Sequence, residues 1–270
     1  MRFASLGSGS KGNATIVCDG HTRVMVDCGF GLKELEKRLL RLRLTPADLS
    51  AVLVTHEHAD HIRGVGPLAR KYRVPVYMTA GTLASNRFGV LPEVRLVEPL
   101  QRFSIGDLSV LSVPVVHDAR EPSQFVIHSA SVKIGILTDL GSITSAVLEA
   151  YSHCDGLLVE ANHDPVMLAC GPYPQSLKTR VSGQWGHLSN AQTASLLAQL
   201  DTAQLQQLVV GHISQHNNSL AHTTAALQGV VPGVPIHYAC QELGFDWLYI
   251  HPQQHPKQQT ADRGHTYATQ

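Results

Sequence analysis

The chain has 270 residues, 43% of them hydrophobic, which is enough for a sizeable core in one large domain or two small ones. Lys and Arg together number 21, as do Asp and Glu, so no global field marks a polyanionic partner, and nucleic-acid binding would need a local patch or a metal centre. Sixteen histidines against six phenylalanines is the figure that asks for a chemical reason.

In chain order, FASL, ATIVC, TRVMVD, AVLVT, VPVYM, LSVLSVPVV and SVKIGILTD are short β-branched or alternating runs that end at Gly, Asp or Pro, as strands do. Helical periodicity lies among them over 32–44 and 62–71. From about residue 140 the two periods alternate. A helix over 143–151 precedes the strand GLLVEA, one over 191–200 with Ser189 or Asn190 as N-cap precedes LQQLVVGH, and one over 220–228 precedes VPIHYA. This order predicts an α/β (α+β) chain with helices covering a layered mixed sheet. No long repeat or linker interrupts it, so residues 1–250 read as a single domain. Residues 251–270, HPQQHPKQQTADRGHTYATQ, read as a polar, flexible tail too poor in apolar residues to offset its ordering entropy.

Five cysteines, Cys18, Cys28, Cys154, Cys170 and Cys240, are widely spaced with no CxxC pair. They read as reduced, buried apolar thiols rather than a disulfide framework or a thiolate zinc knuckle. The opening MRFASLGSGS lacks a signal-peptide apolar core, and no run approaches a membrane span. A cytoplasmic location without membrane association is therefore expected.

The stretch VTHEHADHIRG follows the apolar run AVLV directly. His56 and His58 flank Glu57 at a strand end, so their rings can point to one side and chelate one cation. Asp60 and His61 follow at an offset that suits a second cation. Two divalent ions about 3.5–4 Å apart can share a bridging hydroxide and clamp the attacked and leaving oxygens of a hydrolysed ester. Side chains offering N and O suit zinc, and manganese nearly as well.

THEHADH resembles the signature of the metallo-β-lactamase superfamily. That resemblance implies further ligands at the ends of later strands: His117 in SVPVVHDA on the first metal, His212 in LVVGHIS on the second, and Asp139 in GILTDLG bridging them. It also implies that Asp27 in VMVDCG lies behind the histidine loop and orients ligand imidazoles. SLGSGSKGNATIV, THEHADHIRGVGPLARKY, TDLGSI, VEANHDPVML, GPYPQSLKTRV, WGHLSN and GHISQHNNSLA together resemble the YycJ/WalJ family of this superfamily, over roughly residues 3–240. The family resemblance implies a four-layer αββα sandwich with the metals at one edge, and a 5′ to 3′ exonuclease acting on DNA and tied to DNA repair. RNA-processing nucleases of the superfamily are similar in the glutamate of VEANHD, the histidine of GHLSN and the HIS motif.

By the same resemblance, His187 is the candidate acid for the leaving oxygen, with Glu160 holding it oriented and charged. A structural or helix-capping role is the competing reading of His187. His163 and Asp164 in NHD, and Asn217 and Asn218 in HNN, are candidates for phosphate contact or for bracing the site through turn hydrogen bonds. GSGSKGN, residues 7–13, joins two strands without P-loop spacing and reads first as a hairpin turn. Phosphate contact through its N–H groups and Lys11 is the second reading. KELEKRLLRLR, with Arg63, Arg70, Lys71 and Arg73, reads as a solvated helix face first and a nucleic-acid track second. The competing functions are a metal-dependent hydrolase of a small thioester, lactone or cyclic phosphodiester, and a non-catalytic metal-binding module.

Overall fold

The β-branched runs of the first hundred residues hydrogen-bond to one another and to one late strand, and the remaining strands do the same separately. A computed structural model describes residues 1–130 and 132–252. The first half carries β1 (Arg2–Gly7), β2 (Ala14–Asp19), β3 (Thr22–Val26), α1 (Leu32–Arg41), β4 (Ala51–Leu53), α2 (Ala59–Ile62), α3 (Val65–Tyr72), β5 (Val76–Met78), α4 (Ala80–Leu83) and β6 (Val94–Leu96). Next come β7 (Arg102–Ile105), β8 (Leu108–Pro114), β9 (Ser123–Ser129), β10 (Val132–Leu137), α5 (Ser145–Tyr151), β11 (Gly156–Glu160), α6 (Pro165–Cys170) and α7 (Gln175–Ser182). The last elements among the described residues are α8 (Asn190–Gln199), β12 (Gln207–Gly211), α9 (Leu220–Leu227), β13 (Ile236–Tyr238) and β14 (Phe245–Tyr249).

Among the described residues the strands form two seven-stranded sheets, ordered β14-β1-β2-β3-β4-β5-β6 and β13-β12-β11-β10-β9-β8-β7. Alternation along each strand divides the apolar side chains between two faces. Val24, Val26 and Leu53 from one sheet meet Phe125, Ile134, Leu158 and Val209 from the other in a core between the sheets. The opposite faces bury helices: Ile16, Met25 and Val52 receive Leu35, Leu39 and Leu68 from α1 and α3. Leu137, Val159 and Val210 receive Val147, Tyr151, Leu196 and Leu227 from α5, α8 and α9. The result is the αββα sandwich. Leu35 and Leu39 are fully buried, which stabilises the outer layer by about 1.5–3 kcal/mol for each side chain.

Strands β3 to β6 run parallel, and so do β10 to β13. Open parallel sheets bind ligands outside the carboxyl ends of their strands. Here both sets of carboxyl ends meet at one edge. Gly7 to Asn13 connects β1 to its antiparallel neighbour β2, so the glycine-rich stretch is the connection of a hairpin.

Several boundaries differ from the sequence reading. The helix expected over 32–44 ends at Arg41, because Arg43 adopts φ 57°. The one expected over 62–71 is two helices broken at Gly64, where a Cβ would lie 2.1 Å from the Phe30 carbonyl oxygen. Ser189 is the N-cap of α8, in a reciprocal capping box with Gln192. Cys18, Cys28 and Cys154 are buried thiols, but Cys170 and Cys240 are exposed, contrary to expectation. Cys170 ends a short helix of which Leu168 alone is buried, and Cys240 lies in the turn before β14, where Leu243 N–H donates to its sulfur. The expected tail lies, beyond residue 252, outside the described residues. Among the described residues no helix is long and apolar enough to cross a membrane.

Candidate metal centre

The histidine loop begins where β4 ends and is fastened from behind. Asp27, at φ 62° just after β3, accepts from the Thr55 N–H at 2.8 Å and the Thr55 hydroxyl at 2.8 Å. The same carboxylate lies 2.8 Å from His61 Nδ1. A donated Nδ1 proton there leaves His61 Nε2 facing forward as a ligand atom. Thr55 Oγ1, its proton given to Asp27, accepts from His56 Nδ1 at 3.0 Å, which likewise turns His56 Nε2 forward. The single turn of α2 then folds Asp60 and His61 back beside His56. Asn13 N–H donates to the Asp60 carbonyl at 2.8 Å, and Cys28 N–H to that of His61 at 2.7 Å. Gly29 permits this approach: a Cβ there would fall 1.7 Å from the Asp60 carbonyl oxygen.

The second sheet supplies the other side. His117 follows β8 and its Nδ1 donates to the Gly186 carbonyl at 3.0 Å, directing Nε2 to the site. Asp139 and His212 follow β10 and β12 at φ 55° and 50°. Three carboxyl-terminal strand exits, at Asp27, Asp139 and His212, thus use left-handed backbone without glycine. Asp is one of the residue types that tolerate this conformation, and such strain gathers at functional sites.

Two triads result. His56, His58 and His117 each offer a nitrogen within 4.8 Å of the others, and so do the donor atoms of Asp60, His61 and His212. His58 Nδ1 is 3.0 Å from His56 Nε2 and 3.3 Å from His117 Nε2. Asp139 stands between the triads, with Oδ2 3.4 Å from His61 Nε2 and Oδ1 3.3 Å from His212 Nε2. Asp139 Oδ2 and His212 Nε2 are buried with no hydrogen-bond partner among the described residues. Buried polar atoms without partners are costly unless something else binds them. A set of forward-facing imidazole nitrogens and carboxylates, with such orphaned atoms among them, fits divalent cations.

Charge is arranged to match. Burial, reinforced by the neighbouring His61, drives the His56 imidazole well below its usual range, and burial lowers His117 too. Both are thereby kept neutral, the form that ligates. Around the second triad burial would raise the Asp139 carboxyl, but His212 and His61 hold it well below its usual range. Burial likewise opposes charge on His212, and Asp139 and Asp60 outweigh it, pushing the imidazole up to about 9.

Beyond the triads lies the Glu160–His187 pair. Glu160, fully buried at the end of β11, accepts from the N–H groups of Asp139, Leu140 and Leu188. Its Oε2 is 3.0 Å from His187 Nδ1. With so many donors Glu160 has no open direction toward solvent, so its reach ends at His187. His187 itself lines a cleft of ≈330 Å3 whose floor is His58, Asp60, Asp139 and His212.

Not every candidate reaches that cleft. Lys11 is exposed on the hairpin, its N–H bound to Gln241 Oε1, and its side chain does not line the cleft. His163, Asn217 and Asn218 are buried. Asn218 exchanges hydrogen bonds with Asn190, and Asp164 caps α6 through the N–H groups of Val166 and Met167. Asn218 and Asp164 thus brace the site, whereas His163 Nδ1 and both side-chain polar atoms of Asn217 are buried with no hydrogen-bond partner among the described residues. The sequence reading missed the cleft wall: Asp118, Arg180 and Tyr173. Asp118 Oδ1 is 3.3 Å from His117 Nε2, and its carboxylate accepts from the Arg180 Nε. Adjacency to His117 in HDA was a usable signal for Asp118. Nothing in the local pattern marks Arg180 or Tyr173.

The family model described as "Beta-lactamase superfamily domain" matches residues 22–213, a span that includes Asp27 and every ligand candidate from His56 to His212. Exodeoxyribonuclease YycJ of Bacillus anthracis is 34% identical over 224 residues, covering 81% of this chain and 84% of that protein. The chain belongs to the YycJ/WalJ family of the β-lactamase superfamily. Exodeoxyribonuclease WalJ of Streptococcus pneumoniae is a second member, 34% identical over 236 residues that cover 84% of this chain and 88% of the relative. The metallo-β-lactamase fold protein YhfI from Bacillus subtilis shares the fold at a TM-score of 0.70 and 16% identity, covering 92% of this chain and 99% of that one. Within this superfamily fold, the His and Asp clusters make the shared edge a divalent-metal site.

Proposed function

We propose that this YycJ/WalJ-family protein is a cytoplasmic, metal-dependent 5′ to 3′ exonuclease acting on DNA in repair, built as one domain over residues 1–250. The observation that carries the reading is the His187–Glu160 pair facing a cleft floored by two ligand triads. Relatives named exodeoxyribonucleases, matched over four fifths of the chain, supply the reaction class. His56, His58 and His117 hold one ion in this reading, Asp60, His61 and His212 a second, and Asp139 both. The all-N/O donor set suits zinc or manganese. Such ions supply Lewis-acid polarisation of a phosphoryl oxygen and a water acidic enough to attack at neutral pH.

The chain's own residues do the rest. Asp27 fixes the tautomer of His61 and the placement of Thr55, so the ligands are preorganised before substrate enters. Glu160 orients His187, and His187 gives a proton to the oxygen that leaves phosphorus. A thioester releases a thiolate, a stabler leaving group than an alkoxide that needs no such acid, which favours the nuclease reading over thioester hydrolysis. Arg180, held by Asp118 at the rim, is positioned beside an entering phosphate.

The test is incubation of metal-reconstituted protein, beside Asp60→Ala, with end-labelled DNA and RNA and a small phosphodiester reporter. DNA shortened from its 5′ end by the wild type alone is expected. RNA cleavage in its place would reassign the polymer, and turnover confined to thioesters or lactones would overturn the reading.

A further inference from the structure

At the end of the first sheet remote from the metals lies a second cleft. Tyr249 pairs with Arg2, Arg2 with Cys18, and Cys18 with Arg23, so these residues form one row across β14, β1, β2 and β3. The row opens β1 and β3, whose other ends lead to Ser8 and Asp27 at the metal edge. A six-residue strand separates the two by about 20 Å. Arg41 and Arg43, at the end of α1, close the cleft over the row.

Four guanidiniums, those of Arg2, Arg23, Arg41 and Arg43, line this cleft against one carboxylate, Asp246. Asp48, the other acid near Arg23, is already bound to the Thr45 N–H and hydroxyl. Arg23 Nε is buried and has no hydrogen-bond partner among the described residues. Arg2 sits 4.2 Å from the Trp247 ring centroid and donates to the Tyr249 hydroxyl, while the Tyr249 side remains 53% exposed. Cationic groups interleaved with aromatic faces are the elements of a single-stranded nucleic-acid groove: the guanidiniums take phosphates and the rings take bases.

A path joins the two ends. Lys33, Lys37 and Arg41 are exposed at spacings of four along α1, and so form one ridge. Neither lysine is in an ion pair among the described residues, although Arg38 and Lys71 nearby are paired with Glu34 and Glu36. The helix begins beside Phe30, next to the metal loop, and ends at the arginine cleft. Residues 253–270 carry Lys257 and Arg263 against Asp262, so the chain's own end is no anionic complement.

We infer that the Arg2–Arg23–Arg41–Arg43 cleft, with Trp247 and Tyr249, is a second nucleic-acid contact that grips a single-stranded segment leading along α1 from the metal edge. The identity of the polyanion rests on the nuclease reading; the contact itself is measured without cleavage. Metal-loaded protein is titrated by fluorescence anisotropy against a phosphorothioate strand of about 20 nucleotides, long enough to span both ends. Loss of two phosphate contacts in Arg23→Gln/Arg43→Asn flattens the salt dependence by about 1.4 in log–log slope, on the order of 20-fold in affinity at about 0.1 M salt. Asparagine accepts the left-handed backbone at position 43. Tyr249→Ala, an exposed position, is expected to weaken binding at least about fivefold through lost stacking. Hydrolysis of the small reporter stays unchanged in both variants.

Unchanged affinity and slope in both variants would overturn the inference. So would an equal loss on anionic phospholipid vesicles with none on DNA, which would make the cleft a membrane contact. Failure of wild-type cleavage with these binding differences intact would count against the catalytic reading and leave the groove standing.

Discussion

Replacing His187 by alanine separates a proton donor from a metal ligand. In the structure the imidazole is 18% exposed, with Nδ1 3.0 Å from Glu160 Oε2 and Nε2 free toward the cleft. General acid catalysis contributes about 10²–10⁴-fold, or roughly 2.7–5.5 kcal/mol of barrier. That stabilisation matters when the departing oxygen is an alkoxide, as in a polynucleotide, and hardly at all when it is p-nitrophenolate. His187→Ala should therefore lose about 10²–10⁴-fold on DNA and less than about 10-fold on bis-(p-nitrophenyl) phosphate. Single-turnover rates on the two substrates, with elemental analysis of bound metal, make the measurement. The geometry also brings a His187 nitrogen within 4.8 Å of the donor atoms of Asp139 and His117, and of Glu160 and His212. Equal losses on both substrates, accompanied by lost metal, would show that His187 is a ligand and refute its role as acid.

Two further outcomes follow from buried groups. Asp27→Ala strips His61 and Thr55 of their shared acceptor, so metal affinity should fall about 10–100-fold in calorimetric titration, with about 1–3 kcal/mol lost in urea unfolding from the orphaned Thr55 N–H. Unchanged affinity would remove Asp27 from the support of the centre. His128, half-buried on β9, is lowered from 6.5 to about 4 by burial and by the charges of Arg102 and Lys133. The unfolded chain therefore binds the extra proton first as pH falls. The stabilising effect is complete above 6.5 and is lost between 6.5 and about 4. Solvent screening at this position limits the loss to on the order of 1 kcal/mol. Urea midpoints across that window should slope less in His128→Gln, and parallel slopes would contradict the assignment.

What the sequence made legible was local. His56 to His61 crowd six residues, so their chemistry needs no partner from elsewhere to be noticed, and α8 announces itself through Ser189 and Gln192. β9 was not expected because six of its seven residues are buried, Ser123 and Gln124 included, so no polar face alternates along it. α7 buries none of its residues and so carries no apolar period. Arg180 and Tyr173 reach the cleft through chain reversals that leave no mark in composition. The arginine cleft draws Arg2, Arg23, Arg41 and Trp247 from four separate elements, and no single window of sequence contains it.

The cleft wall and the ligands come from different lengths of chain. Tyr173, Leu177, Arg180 and Val181 all belong to one excursion between β11 and α8, whereas the ligand candidates leave strand ends elsewhere. Its ties to the metal set lie at its two ends: Asn162, whose Nδ2 is 3.1 Å from His212 Nδ1, and the Gly186 carbonyl that receives the His117 proton, with His187 beside it. The stretch from Tyr173 to Val181 can therefore be rewritten residue by residue, with what is admitted changing and what is done to it staying the same, provided that Asn162, Gly186 and His187 keep their places.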